Sequence, residues 1–147
     1  MKLFTSAWMF FIWQGIHAQN LQIMETKTNT KAVTAVIEQY FRGIQTGDTV
    51  LLGQTFHPDA LLFGDINGTP YAKTQNEYLS GVANRVSPEK SGQPFEAKIL
   101  SVDIINSIAT AKLNVRMYHF HYYNFLTLHE IDGNWLIVNK TLTNVID

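Results

Sequence analysis

From Thr30 onward, apolar residues recur at steps of three and four, which is the period of a helix with one buried face. This stripe consists of Val33, Val36, Ile37, Tyr40, Phe41 and Ile44. Gly47 is typical of the residue that follows a helix, and Asp48 is a good N-cap for a second helix over "TVLLGQTF". The pattern therefore predicts two consecutive helices.

The stretch "FHPDALLF" predicts a change from helix to strand. Because the residue before a proline is pushed out of the α region, the second helix must end by His57. Asp59 suits the turn after Pro58, and a strand begins at Ala60. His57 beside Asp59 can also be interpreted as an acid–base pair. Nothing in the spacing directs the imidazole at a partner, so the interpretation as a helix end is favoured.

An Asn67-Gly68 pair carries the signal of a tight hairpin that returns through "TPYAK". Thr74 and Glu77 have the spacing of a capping box, which opens a third helix. We expect its inner residues to be Tyr78, Leu79, Val82 and Val86. The following "SPEKSGQP" predicts a solvated loop.

The second half of the chain alternates between apolar and polar residues, as strands do. Strands are predicted over 95–105, 108 to about 120, 125–131 and 135–145, with turns at Asn106-Ser107 and Asp132-Gly133. Three helices followed by a long antiparallel sheet, with one hairpin between the second and third helices, predict the α+β class.

The N-terminus has the pattern of a secretory signal peptide. Lys2 precedes the 14-residue apolar run "LFTSAWMFFIWQGI", and Ala18 is a small residue suited to cleavage. The run is too short to span a bilayer. We therefore expect residues 1–18 to be a signal peptide, 19–29 a polar tether and 30–147 a single domain. The alternative is an N-terminal helix that packs on the domain.

Composition limits the partners of the exported protein. The 147 residues include 11 basic and 12 acidic side chains, with a formal net charge of −1. Nucleic-acid binding needs clustered Lys and Arg, so no nucleic-acid partner is expected, and no membrane association after signal cleavage. Because the chain contains no cysteine, no lipoprotein anchor is expected. No motif indicates a cofactor, which leaves a small molecule as the expected partner.

Four stretches in order, "YFRGIQTGD", "FHPDALL", "IATAKLNV" and "LHEIDGNWLIVNK", resemble the nuclear transport factor 2-like (NTF2-like) superfamily. Within it, the chain is most similar to the group called "putative lumazine-binding" or SnoaL-like. The resemblance covers about residues 30 to 145. It implies a cone, in which a strongly curved antiparallel sheet packs on three N-terminal helices and a pocket lies in its mouth. Members include isomerases, dehydratases and cyclases as well as proteins that only bind, so fold does not settle function.

Strand parity locates a pocket independently of that resemblance. One face of the strand from residue 108 carries Ala109, Ala111, Leu113, Val115 and Met117. Continued along the chain, this apolar face reaches His119 and His121, which we expect at the mouth of the pocket. One bulge would turn both histidines outward. The two imidazoles could share a metal ion, but no third ligand has a recognisable spacing, and no metal site is predicted.

Asn124 has the parity of Leu126 and Leu128, which places it inward at the open end. In the ketosteroid isomerases that the chain resembles, an acidic residue at this position and a tyrosine on the first helix donate hydrogen bonds to an oxyanion. The matching residues here are Asn124 and Tyr40, and an asparagine can donate such a bond. The general base of that pattern falls at Gly64, and Asp65, one residue later, is expected on the opposite face.

Four further residues complete the predicted ligand-binding set. They are Phe63, Tyr78, Trp135 and Asn139. The aromatic residues among them can equally well be packing residues of the core.

Three functions follow from these observations. The favoured one is an exported, non-enzymatic binder of a small, partly aromatic ligand. The second is an isomerase or dehydratase in which His119 or His121 acts as the base, with Asp65 as a further weak catalytic candidate. The third is a homodimeric association module that uses the outer face of the sheet, where Tyr118 and Phe120 are expected beside Arg116.

Overall fold

The computed structural model describes residues 6–146, with side chains described from residue 19 onward except at residues 20, 22 and 26. The side chains of the predicted signal peptide, residues 1–18, thus lie outside the described part. The elements are α1 (Ser6–Thr46), α2 (Thr49–Thr55), β1 (Phe56–Ile66), β2 (Thr69–Thr74), α3 (Gln75–Ala83), α4 (Pro88–Ser91), β3 (Phe95–Ile105), β4 (Ile108–Met117), β5 (Phe120–Ile131) and β6 (Asn134–Val145). The predicted α+β class is confirmed: six strands form one curved sheet that does not close, and the helices pack on it.

The helix that was predicted to begin at Thr30 begins earlier. Residues 19–29, expected as a tether, continue α1, so the prediction of a non-helical segment there is wrong. Among the described side chains of this stretch, those of Leu21, Ile23 and Met24 are 64–68% exposed and pack little against the rest of the chain. Burial starts at Val33, the first residue of the predicted apolar stripe. Within the described residues, no helix has the length and apolar character needed to cross a bilayer.

Local signals set the ends of the next two helices as predicted. The Asp48 carboxylate accepts hydrogen bonds from the backbone N–H groups of Val50 and Leu51, at 3.0 and 2.9 Å, and caps α2. Thr74 and Glu77 form the reciprocal capping box at the start of α3. The predicted loop "SPEKSGQP" instead contains α4, one helical turn capped by the Ser87 hydroxyl. Val86 lies beyond the end of α3 and is 62% exposed, so its expected inner position is wrong.

The strand order is β2-β1-β6-β5-β4-β3. Neighbours pair antiparallel except β1 and β6, which are parallel and depart from the all-antiparallel expectation. These two strands come from different halves of the chain, so no tight turn fixes their relative direction. The backbones of β1 and β6 approach each other closely at Gly64, which has φ 151°. A Cβ at this position would lie 1.7 Å from the Leu142 carbonyl oxygen.

The predicted strand over 108–120 is two strands. β4 ends at Met117, a turn formed by Tyr118 and His119 follows, and β5 begins at Phe120. Tyr118 has φ 55°, a left-handed conformation that is uncommon for a bulky residue, so no turn signal was present in the sequence. Tertiary hydrogen bonds hold the turn instead. The Tyr118 hydroxyl donates to the Val86 carbonyl, and the backbone N–H of Tyr118 donates to the Pro94 carbonyl.

The core lies between the helices and the face of the sheet that is turned toward them, here called the inner face. The most deeply buried members of this core are Val33, Ile37, Tyr40, Leu52, Leu62, Leu113, Leu126, Leu128 and Ile137. Each such aliphatic side chain contributes about 1.5–3 kcal/mol by leaving water. This packing fixes α1 and α3 against the inner face, and a cavity remains at one end of it.

Candidate functional site

A cavity of about 170 Å³ lies between α1, α3, β2 and the inner face of the sheet. Four tyrosines line it: Tyr40 from α1, Tyr71 from β2, Tyr78 from α3 and Tyr122 from β5. Asn124, Lys73, Arg85 and Lys140 supply its other strongly polar groups. Its size is comparable with that of an engineered cavity that admits benzene, so a ligand of one ring, or a small bicyclic one, fits it.

Lys140 enters the cavity because β6 contains a bulge. Thr127 pairs with Asn139 and Leu128 with Ile137, so Val138 is an extra residue between them. The bulge reverses the inward and outward positions of the rest of the strand. Ile137 faces inward before it, and Lys140 and Leu142 face inward after it. A lysine therefore occupies a position that lies 5% exposed among core residues.

The amine of Lys140 is held in an environment that disfavours its charge. Burial, and then the nearby Arg85 guanidinium, lower the pKa of Lys140 to about 7. Its Nζ lies 5.2 Å from the centre of the Tyr40 ring and 4.9 Å from that of Tyr78. These ring faces attract the ammonium form and offset part of the desolvation. Near neutral pH the amine is thus divided between its charged and neutral forms.

Arg85 lies in the segment between α3 and α4 and reaches the cavity from its side. Its Nε and Nη2 are buried, and neither has a hydrogen-bond partner within the described part of the chain. The positive charge of Arg85 acts on all four cavity tyrosines, in each case lowering the pKa of the phenol against the larger effect of burial. Buried N–H groups that lack an acceptor are costly, and a ligand oxygen at Nε and Nη2 would relieve that cost.

Tyr40 and Tyr78 are fixed by packing on Phe56, whose ring lies edge-on to each at a centroid distance of 5.8 Å. Burial raises the pKa of both phenols far above the usual value, so they stay protonated at neutral pH. The Tyr40 hydroxyl is buried, and the phenol of Tyr78 lies close enough to interact with it and to raise its pKa further. A ligand oxygen in the cavity would compete with Tyr78 for this donor.

The predicted ligand-binding residues divide into two groups. Tyr40, Tyr78 and Asn124 line the cavity. Phe63, Trp135, Asn139, His119 and His121 do not, so their expected positions are wrong.

Three of the misplaced residues have simple structural reasons. Phe63 lies 45% exposed on the outer face of β1. Trp135 is buried at the other end of the sheet, near His57. The bulge turns Asn139 outward, where its Nδ2 donates a 3.0 Å hydrogen bond to the Leu61 carbonyl.

The histidines were expected inward on a strand that continues beyond Met117. Because the chain reverses at Tyr118 and His119, His119 lies exposed in the turn. His121 pairs with Arg116 on the outer face, where a 2.6 Å contact joins its Nε2 to the Asn114 amide. Neither imidazole can act as a base in the cavity. Among the described residues, no group of His, Asp and Glu side chains is arranged to hold a metal ion.

The two carboxylates that were weighed as catalytic residues also lie elsewhere. Asp65 faces outward, as its parity predicted, and accepts a 3.0 Å hydrogen bond from the Thr143 hydroxyl. Asp59 is 93% exposed on its side chain, and its N–H donates to Nδ1 of His57 at 3.1 Å. As predicted, α2 ends before His57, and the imidazole makes only a local contact where the helix gives way to β1.

The expected outer-face patch of Tyr118 and Phe120 is also wrong. Tyr118 is a turn residue, and Phe120 packs on the buried pair Val115 and Tyr122. The exposed aromatic residues of the outer face are instead Phe63 and Phe125. Thr141 pairs with both, so they belong to one row across the sheet.

Sequence reasoning missed Lys140, Arg85, Lys73, Tyr71 and Tyr122. A signal for Lys140 was present: Ile137 and Leu142 have opposite parity, and both can face inward only if a bulge separates them. The inward position of Tyr122 could be predicted only together with the turn at Tyr118, and the sequence carries no signal for that turn. Arg85 follows α3 in an irregular segment, where no periodicity assigns a direction to a side chain.

Comparison with known protein families gives a match over most of the chain. The model of the family described as "Putative lumazine-binding" matches residues 28–143. A curated protein, "Aldolase FrzH" from Cladobotryum sp, is 25% identical over 117 residues, which cover 78% of this chain and 90% of that protein.

Solved structures show the same fold. An NTF2-like protein of unknown function from Silicibacter pomeroyi has a TM-score of 0.74 at 22% identity, covering 82% of this chain and 98% of its own. One from Shewanella baltica has a TM-score of 0.72 at 21% identity, covering 82% and 96%. A ketosteroid isomerase-like protein from Erwinia carotovora has a TM-score of 0.62 at 11% identity. The match covers 80% of this chain and 96% of that protein.

The pKa of Lys140 predicts a pH-dependent stability. The unfolded chain binds a proton at this lysine below about pH 10.4, whereas the folded chain binds it only below about pH 7. Stability should therefore rise with pH between 7 and 9, by about 2 kcal/mol from this residue alone. Urea unfolding across that range should show the rise in the wild type and lose it in Lys140→Met.

The matched control is Lys98→Met, which changes an exposed lysine on β3 and should keep the rise. The range stops at pH 9 so that the tyrosines of the unfolded chain do not titrate. An equal pH dependence in the wild type and Lys140→Met would contradict the lowered pKa.

Proposed function

Because the chain belongs to the "Putative lumazine-binding" family of the NTF2-like superfamily, we propose that it binds a small, partly aromatic ligand in the tyrosine-lined cavity. The ligand carries an anionic or strongly polarised oxygen. In this proposal the protein acts after export from the cytoplasm. The family's name does not by itself identify the ligand.

The shape and lining of the cavity support an aromatic ligand. Four tyrosine rings line a space of about 170 Å³, and Ile44, Ile66, Val82 and Val115 add apolar surface. A flat ring gains dispersion and stacking energy against such walls, about 0.5–1.5 kcal/mol per aromatic pair beyond the area that it buries. Apolar walls with a few converging polar groups are typical of small-molecule sites.

The observation that carries the proposal is the unpartnered guanidinium of Arg85. Its buried Nε and Nη2 point to an acceptor that the described chain does not supply. Lys73 and Lys140 add positive charge, and no described residue of the cavity wall carries a carboxylate. A carboxylate, an enolate or a ring oxygen with partial negative charge would satisfy this arrangement, with the Tyr40 hydroxyl as a further donor.

A second function, catalysis on a carbonyl compound, is favoured by two observations. The Lys140 amine titrates near neutral pH inside the cavity. The Cladobotryum protein that matches 78% of this chain is named an aldolase. Arg85 and Tyr40 would then stabilise negative charge on the carbonyl oxygen. In this second proposal, the base is the lysine and not the predicted histidines.

Arg85→Gln should weaken binding of aromatic anions about ten- to a hundredfold, because it removes one charge-assisted hydrogen-bonding group. The measurement is isothermal titration calorimetry with 4-hydroxybenzoate and with lumazine as probes. Arg42→Gln, which changes an exposed arginine on α1, is the matched control and should bind like the wild type. Equal affinities of the Arg85 and Arg42 variants would argue against an anion site.

Export is proposed from the charge, apolar run and small residue of the first 18 positions. The exposed side chains of Leu21, Ile23 and Met24 support it, because a segment that begins at Gln19 would carry a solvent-exposed N-terminal end. Expressed in a Gram-negative host, the protein should accumulate in the periplasm with an intact mass that begins at Gln19. Ala18→Arg should block cleavage. Full-length protein confined to the cytoplasm would contradict export.

Homodimerisation through the outer face is also a proposal, now assigned to Phe63 and Phe125. Their exposure of 45 and 53% in one cross-strand row supports it. Light scattering at high protein concentration should give twice the mass of the chain, and Phe125→Asp should give the monomer mass. Leu100→Asp, at an exposed apolar residue on β3, is the control and should stay dimeric. A monomeric wild type would exclude this interface.

A further inference from the structure

We propose that the Lys140 amine forms a covalent imine with aromatic aldehydes or ketones that enter the cavity. This inference rests on the proposed function, because the carbonyl compound would occupy the same cavity. It goes beyond binding in that it assigns a nucleophile and the chemical class of its substrate.

The position of Lys140 suits a nucleophile. The bulge in β6 fixes the backbone, and the side chain lies between the ring faces of Tyr40 and Tyr78. Within the described residues, no hydrogen bond or ion pair engages its amine, and the residue lines the cavity wall. A structural lysine in a core would be expected to have a carboxylate partner, since an unpaired buried charge is expensive.

The surroundings of Lys140 favour the neutral amine, which is the reactive form. The charged or titratable groups of the same cavity are Tyr40 from α1, Tyr71 and Lys73 from β2, Tyr78 from α3, Arg85 from the segment after it, and Tyr122 from β5. None of these is an acid that would hold the lysine as an ammonium ion. Burial and Arg85 lower its pKa to about 7, as in lysines that form Schiff bases in desolvated pockets.

The step balances without an oxidant, reductant or metal. The Nζ lone pair attacks the carbonyl carbon, a C–N bond forms, and the C=O π electrons move to oxygen, which takes a proton. The second amine proton and this hydroxyl group then leave as water, and a C=N bond remains. Arg85 and the protonated phenol of Tyr40 are the groups available to polarise the carbonyl oxygen during attack.

The test traps the imine by reduction. The protein is treated with 4-hydroxybenzaldehyde and sodium cyanoborohydride between pH 6 and 9, and the modified lysines are quantified by peptide mass spectrometry. At pH 7 about half of Lys140 is the free amine, against about one part in 2,500 for a lysine with the usual pKa of about 10.4. We expect Lys140 to react at least tenfold faster than exposed Lys98 at pH 7, with the ratio falling as the pH rises.

Lys140→Arg keeps a cation but cannot form an imine, so the cavity-specific adduct should vanish, whereas Lys98→Arg should leave it unchanged. Because Lys140 and Lys98 are compared within one wild-type molecule, the result does not depend on the folding of a variant. Equal rates at the two lysines would overturn the inference.

Competition with 4-hydroxybenzoate separates this inference from the proposed function. If the acid binds but Lys140 is not trapped, the imine is excluded and the binding function stands. If the aldehyde traps Lys140 and the acid slows that reaction, both are supported. If the acid does not bind and Lys140 reacts no faster than Lys98, both fail.

Discussion

The chemistry of the cavity depends on one extra residue in a strand. Val138 has no partner on β5, and the bulge that it makes moves every later residue of β6 to the opposite face. Without it, Asn139 would face the core and Lys140 would face water. The bulge is maintained from both sides, because Ile137 and Leu142 each have apolar neighbours to contact and the Asn139 amide is bonded to β1. Apolar packing on two sides of the bulge thus places an amine in the interior.

That placement has an electrostatic consequence for the whole cavity. Lys140 and Arg85 are close enough that the guanidinium helps to lower the pKa of the amine, and neither has a described carboxylate partner. The four phenols compensate these positive charges only weakly. Burial keeps the phenols protonated, so they offer oxygen acceptors but no negative charge. The arrangement disfavours the empty, fully protonated cavity and favours one that holds an acceptor. In natural proteins, arrangements that reduce stability locally in this way tend to occur at functional sites.

The sequence predicted the fold well and the site only in part. Helix ends at Asp48 and Thr74 and the hairpin at Asn67 follow from local chemistry, and each is where it was expected. Tyr40, Tyr78 and Asn124 were placed correctly because they lie on elements of regular period. The failures lie where a tertiary contact overrides the local signal. Tyr118 adopts a positive φ because its hydroxyl and N–H bond to distant carbonyls, and that turn moved two histidines out of the cavity.

The same two irregularities determine which of the residues considered as catalytic bases face the cavity. The turn at Tyr118 places His119 and His121 outside the cavity, and strand parity places Asp65 on the outer face. None of the carboxylates or imidazoles considered as a base therefore faces the cavity. The bulge at Val138 introduces an amine instead. An amine whose pKa is near 7 can attack a carbonyl carbon. The described cavity wall has no carboxylate that could serve as the general base of a ketosteroid isomerase. Similarity to a ketosteroid isomerase-like protein at 11% identity shows the fold alone, and the described wall of this cavity carries the Lys140 amine rather than a carboxylate.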